Sequence, residues 1–280
     1  MRRLLWLNLP MAGSAAGWVV VTLIALELPF DWPLIALAFL LALGFYTRDR
    51  LQEGEQQSDR LAMPERTAWI ERHAARLKWL AWGCFGGAVV LVLLRPAAAL
   101  PLLAGLGFAL SYTARWIPWP GRRLGWKHLP GMKMPFVAAL WTLTTVITPA
   151  AVYGRLRGPE TWLLAGAVCL LIMVQILLND LRDVAADRAA GTLSLPVLAG
   201  ERFARYVGSG LATMAALLAL PVAAIPFTLT GLYSLLLLYR YRYEEDAGWR
   251  FWIEAQGIVA AVCIILIHLP NGPIVLSSPK

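Results

Sequence analysis

Asp180, Asp183 and Asp187 stand at i, i+3 and i+7, directly after an almost wholly apolar run, Leu170 to Leu178. On a helix turning ~100° per residue they share about 60° of arc, so the spacing predicts three carboxylates on one face at the end of an apolar helix. Like charges so close repel one another, which raises their pKa values and weakens the helix end unless something bridges them. A hard divalent cation does so. Magnesium suits the donor set, because it takes few carboxylates and keeps positions open for water or phosphate oxygens. Arg182 and Arg188 interleave with the acids, so the plainer alternative is a solvated loop of Asp–Arg pairs.

A second acidic stretch runs through Tyr46-Thr47-Arg48-Asp49-Arg50-Leu51-Gln52-Glu53-Gly54-Glu55 to Asp59 and Pro64-Glu65-Arg66. Asp49 and Glu53, at i and i+4, share a helix face and are candidate ligands for a second magnesium, with Asp59 beyond them. The alternative is a charged loop with helix-stabilising ion pairs. A third stretch, residues 111–136, mixes Arg115, Arg122, Arg123, Lys127 and Lys133 with Trp116, Trp119 and Trp126. Positive-inside topology and a tryptophan belt account for most of it. Glu254 and Gln256 lie in or near the last apolar run. An acid there either faces a cavity or is solvated at the interface.

The elements that must carry these residues are membrane helices. Of 280 residues, 59% are hydrophobic and 15% charged, with a mean hydropathy of +0.62, which excludes an ordinary soluble domain. Apolar runs near 11–28, 32–46, 77–94, 97–114, 135–152, 161–178, 205–221, 223–239 and 251–268 predict an all-α polytopic bundle of about nine spans, forming one domain over residues 1–280. The split between the seventh and eighth spans, around Pro221 and Pro226, is the weakest. Met1-Arg2-Arg3 opens an uncleaved first helix, since the small residues from Gly13 precede the main apolar run.

In this nine-span arrangement the ends that share a side with the N-terminus hold 21 of the 25 Lys and Arg residues, and the other side holds Arg95, Arg155, Arg157 and Lys280. The bias predicts a cytoplasmic N-terminus, cytoplasmic long loops and an outward C-terminus. It also explains the net charge of +8 without a nucleic-acid partner; the partner is the lipid bilayer. Cys84, Cys169 and Cys263 lie in apolar runs and read as structural thiols, and the three histidines make no zinc pattern.

Asn179-Asp180-x-x-Asp183-x-x-x-Asp187, followed by Gly191-Thr192-Leu193-Ser194-Leu195-Pro196, resembles the second aspartate-rich motif of the UbiA superfamily of intramembrane prenyltransferases, and it falls between the sixth and seventh spans as in that family. The resemblance implies a UbiA-like bundle. It implies Mg²⁺, two ions, held by Asp180, Asp183 and Asp187 and by Asp49, Glu53 and Asp59. Asp180, Asp183, Asp187 and Asp49 then carry the catalysis. The first family motif, Asn-Asp-x-x-Asp-x-x-x-Asp, is absent here; only its location matches. An isoprenyl diphosphate would be contacted by Lys133, Lys127, Arg182, Arg66, Asn179 and Tyr112, because cations near a diphosphate stabilise the leaving group. The implied reaction moves an isoprenyl group, through an allylic carbocation, to a hydrophobic acceptor, aromatic or lipid. Trp141 and Tyr153 are candidates to line the cavity. Two alternatives stay open: a UbiA-type terpene cyclase, and a non-catalytic lipid-binding or transport protein.

Overall fold

In lipid a helix satisfies its own amides, and this chain is built almost entirely of helices. The structure is a computed structural model that describes residues 2–51, 63–113, 117–119, 122–124, 129–190, 192–241 and 246–268. A short helix α1 (Arg2–Trp6) leads into α2 (Leu9–Ala25) and α3 (Trp32–Arg50). Helix α4 (Pro64–Arg72) precedes α5 (Ala74–Leu94), and a 3-10 turn (Pro96–Ala98) opens α6 (Ala99–Thr113). Helix α7 (Lys133–Thr142) runs through a π turn (Leu143–Ile147) into α8 (Thr148–Val152). Pro149 has no N–H to give to the preceding turn, and there the Thr148 hydroxyl donates to the Leu143 carbonyl at 2.8 Å. Then follow α9 (Pro159–Arg182), α10 (Val184–Ala190), α11 (Leu195–Ala199), α12 (Glu201–Arg240), α13 (Asp246–Glu254) and α14 (Gln256–His268).

Five helices among the described residues are long and apolar enough to cross a membrane: Trp32–Arg50, Ala74–Leu94, Lys133–Val152, Pro159–Arg182 and Glu201–Arg240; three shorter apolar helices accompany them. The protein is an integral membrane protein. The expected seventh and eighth spans are one 40-residue helical stretch, α12, broken at Ala223 (φ −154, ψ 57) between Pro221 and Pro226. Its halves fold back on one another. Gly208 packs on Leu238, Gly231 on Ala212, and the Arg205 guanidinium donates to the Leu238 and Tyr241 carbonyls.

The bundle is all-α as expected, with one small hairpin added to it. Strands β1 (Ile117–Trp119) and β2 (Arg122–Leu124) pair antiparallel, Pro118 opposite Arg123. Their sequence is joined by Pro120-Gly121, a dipeptide that favours tight turns.

The core is made of small and medium side chains around α9: Leu164, Ala167, Val168 and Leu171 meet Ala215 and Ala219 of α12, with Trp18 and Phe227 filling the centre. Large apolar side chains such as Leu93 on α5, Leu100 on α6 and Leu217 on α12 face outward. Small residues inside and bulky apolar ones outside suit a bundle solvated by lipid tails. The closest approach is between α2 and α14. The Gly257 amide donates to Ser14 Oγ at 2.8 Å; a Cβ at Gly17 would strike the Gly257 carbonyl, and one at Gly257 the Ser14 carbonyl. Backbone atoms cannot yield as a side-chain tip can. Gly257→Ala is therefore expected to cost upward of the ~1–3 kcal/mol usual for overpacking, read as a fall in the melting temperature of the detergent-purified protein, whereas alanine at Gly83, which meets nothing, leaves it unchanged.

At the end of the bundle away from the carboxylates, Asp31 ties three helices. It caps α3, accepting from the Leu34 amide, and accepts from Arg95 Nε at 2.6 Å and the Tyr153 hydroxyl at 2.8 Å. Burial, then the Asp31 carboxylate, pushes the Tyr153 phenol up to about 12. Tyr153 is therefore a structural partner of Asp31 at this end.

Candidate active site

The last two turns of α9 bring Gln175, Asn179 and Asp180 to the inner face of the bundle. The helix then stops. Asp183 leaves helical geometry (φ −92, ψ 10), with its amide still donating to the Asn179 carbonyl at 3.1 Å, and α10 begins one residue later. The three aspartates therefore do not share one straight helix face; they line a corner. The cause is Arg182, which turns onto Asp183 with two bonds of 2.7 Å (Nε to Oδ1, Nη2 to Oδ2) while Nη1 donates to Asn179 Oδ1 at 3.1 Å. The corner is closed by the Thr192 amide on the Asp187 carbonyl at 2.8 Å, and the Gly131 amide on the Leu193 carbonyl at 3.1 Å brings in the entry to α7.

That entry places Lys133, the first residue of α7. Its Nζ lies 2.7 Å from Asp180 Oδ1, and Asp180 is 2% exposed. The Lys133 charge also acts on Asp187 and Asp183. Burial works to raise the Asp183 carboxyl, but Arg182 prevails and holds it far below the usual carboxylate range. Asp187 goes the other way: burial pushes it up, only partly offset by Lys133 and the neighbouring Ser194 hydroxyl. Asp187 Oδ2 is buried and takes no hydrogen bond among the described residues.

The opposite wall is the end of α3. Asp49 is half-buried there, and its charge reaches Tyr46, whose hydroxyl accepts from Trp141 Nε1 at 3.1 Å. The charge of Arg50 acts on Asp183, so the ends of α3 and α9 face one another. Arg66 on α4 is buried. Glu53, Asp59 and Lys127 lie outside the described residues, and Tyr112 falls in α6 without a described side chain. The structure thus brings together Asp180, Asp183, Asp187, Asn179, Arg182 and Lys133, with Asp49 across from them. No three His, Cys, Asp or Glu side chains among the described residues are grouped to hold a metal; Lys133 and Arg182 pair with two of the acids.

Arg250, one of the basic residues on the N-terminal side, does more here than bias topology. It pairs with Glu254, Nε to Oε1 2.7 Å, with both side chains buried, and its charge acts on Arg182 and Arg50. Gln175, one turn before Asn179, donates from Nε2 to the Ile253 and Glu254 carbonyls at 3.1 Å each, which docks the end of α13 against α9 beneath the aspartates. Glu254 is thus buried in the protein rather than solvated at an interface. The available signal was Arg-x-x-x-Glu, a helical i, i+4 ion pair, at the mouth of an apolar helix.

Residues 64–252 match the model of the UbiA prenyltransferase family. The chain is 30% identical over 195 residues to the digeranylgeranylglyceryl phosphate synthase of Natronomonas pharaonis, covering 66% of each chain. It is 30% identical over 239 residues to the enzyme of the same name from Thermococcus gammatolerans, covering 79% of this chain and 76% of the relative. A solved structure of a digeranylgeranylglyceryl phosphate synthase in membranes superposes with a TM-score of 0.54 at 16% identity, over 95% of this chain and 98% of the other. That likeness is one of fold.

Proposed function

Because this chain belongs to the UbiA prenyltransferase family of prenyl-transferring enzymes, we propose that it moves an isoprenyl group from an isoprenyl diphosphate to the hydroxyl of a glyceryl phosphate lipid. The relatives' names favour that acceptor over an aromatic one. The chain acts as one domain of nine spans, with its N-terminus and carboxylate loops cytoplasmic and its C-terminus outside.

One observation carries the reading: at one end of the bundle, buried aspartates and basic side chains face one another in exchangeable pairs. Hard oxygen donors and the unpartnered buried Asp187 Oδ2 fit a divalent ion, and Asp180, Asp183, Asp187 and Asp49 would hold Mg²⁺. When bound, Mg²⁺ neutralises diphosphate charge as the carbon–oxygen bond breaks. Lys133 and Arg182, each already beside an aspartate, turn to the diphosphate oxygens and steady the leaving group. Tyr46 and Trp141 hold the wall between α3 and α7. The apolar bundle keeps water from the allylic cation.

Purified protein supplied with isoprenyl diphosphates and a panel of glyceryl phosphate and aromatic acceptors tests this. The expected result is diphosphate release coupled to a prenylated glyceryl lipid, with the rate falling to background under EDTA and returning with Mg²⁺. A cyclic hydrocarbon or alcohol from the donor alone would overturn it in favour of cyclisation. Failure to release diphosphate with any acceptor would overturn it in favour of a lipid-binding or transport role.

A further inference from the structure

A separate cavity of about 500 Å³ opens between α1 and α4, lined by Arg3, Trp6, Trp69, Arg72 and His73. Its aromatic side is ordered. The Trp69 and His73 rings stack with centroids 4.6 Å apart, and Trp6 leans on Trp69 at 5.7 Å. His73 Nδ1 lies 2.8 Å from the Trp69 carbonyl; a carbonyl only accepts, so the proton sits on Nδ1 and fixes the ring against Trp69. Its cationic side is open. Arg72 uses Nε on the Ala68 carbonyl at 3.2 Å, and neither Arg3 nor Arg72 forms an ion pair among the described residues. Among the described residues no carboxylate lines the cavity.

Its position in the fold decides what it takes. Arg3 and Trp6 lie just before Leu9, where α2 starts, and Arg72 and His73 just before Ala74, where α5 starts. Both are apolar helices leaving the same end of the bundle. The cavity therefore sits at headgroup depth, where amphipathic Trp rings gather and where unpaired basic groups meet lipid phosphates. Two unpaired guanidiniums over a floor of indole faces match one phosphodiester with its glycerol and first methylenes, since Arg binds phosphate in a fork and indole packs on apolar carbon.

We propose that this cavity is a binding site for the headgroup of an anionic phospholipid, distinct from the carboxylate site. Arg66 is buried on the same helix, α4, one turn before Trp69, so a headgroup seated in the cavity also steadies the helix that carries it.

Native mass spectrometry of the full-length protein, with phosphatidylglycerol or phosphatidylcholine added, tests the site, alongside melting temperatures in nanodiscs of each lipid. The wild type is expected to retain one phosphatidylglycerol preferentially and to melt higher in phosphatidylglycerol. In R3Q/R72Q that adduct weakens roughly tenfold to thirtyfold, from two basic side chains at an anionic surface, and the gain in melting temperature disappears, while melting in phosphatidylcholine stays at the wild-type value. R155Q/R157Q, at the other end of the bundle, keeps both. Should the double variant melt low in phosphatidylcholine, R72Q alone, at an exposed position, repeats the comparison. Equal retention by wild type and R72Q overturns the proposal. So does displacement of the adduct by inorganic phosphate at matched concentration, which would make this a free-anion site.

Discussion

Asp183→Ala is expected to abolish the magnesium-dependent diphosphate release proposed above, a loss of at least about 10³-fold in turnover where charge stabilisation of the leaving group is the main catalytic term. Asp183 stands at the corner between α9 and α10 and anchors Arg182 through two bonds of 2.7 Å. Its removal takes away a carboxylate held ionised by Arg182 and frees the guanidinium that shaped the corner. Breaking a buried pair from one side costs ~3–5 kcal/mol; the Asp183 side chain is 24% exposed, which points to the lower end of that range. Asp183→Asn separates the two roles, because the amide still accepts from Arg182 but is a poor magnesium ligand. Its melting temperature is expected to stay near wild type while diphosphate release is lost. Diphosphate release by either variant at the wild-type rate would remove Asp183 from the mechanism.

Lys133→Met is expected to lower turnover by about 10²–10³-fold, the scale of losing one preorganised donor to a developing anion, and yet to bind magnesium more tightly. On the proposed reading Lys133 and the metal would compete for Asp180. Lys133 neutralises a carboxylate that is 2% exposed; without it the acid is buried and unpaired, and stability falls, by less than the ~3–5 kcal/mol of a fully buried pair because the Lys133 side chain is 34% exposed. Magnesium then restores what the lysine supplied, so its effect on melting temperature is larger in the variant than in the wild type. The double variant K133M/D180N removes both charges and is expected to recover stability without recovering activity. If the double variant regained activity, the pair would be purely structural.

The carboxylate half of this site was legible because its residues are close in sequence and follow an apolar run, so periodicity and charge place them without tertiary information. The same holds for the long helices, whose apolar stretches announce themselves. What was not legible depends on side chains meeting across distance. The corner at Asp183 follows from which way Arg182 turns, a choice that i, i+3, i+7 spacing does not contain. Tyr153 read as a cavity aromatic, yet it answers Asp31, 122 residues away. Arg250 looked like one more positive-inside residue until α13 docked on Gln175. The two apolar runs around Pro221 and Pro226 were visible, but their antiparallel folding at Ala223 needed the Gly208–Leu238 and Gly231–Ala212 contacts.

The triple attachment at Asp31 has a mechanical consequence. One buried carboxylate fastens the start of α3 and the ends of α5 and α8, while the opposite end is held by Lys133–Asp180 and Arg182–Asp183, the pairs that the proposed cation and diphosphate would exchange. Any spreading of the helices at the carboxylate end would therefore pivot about Asp31.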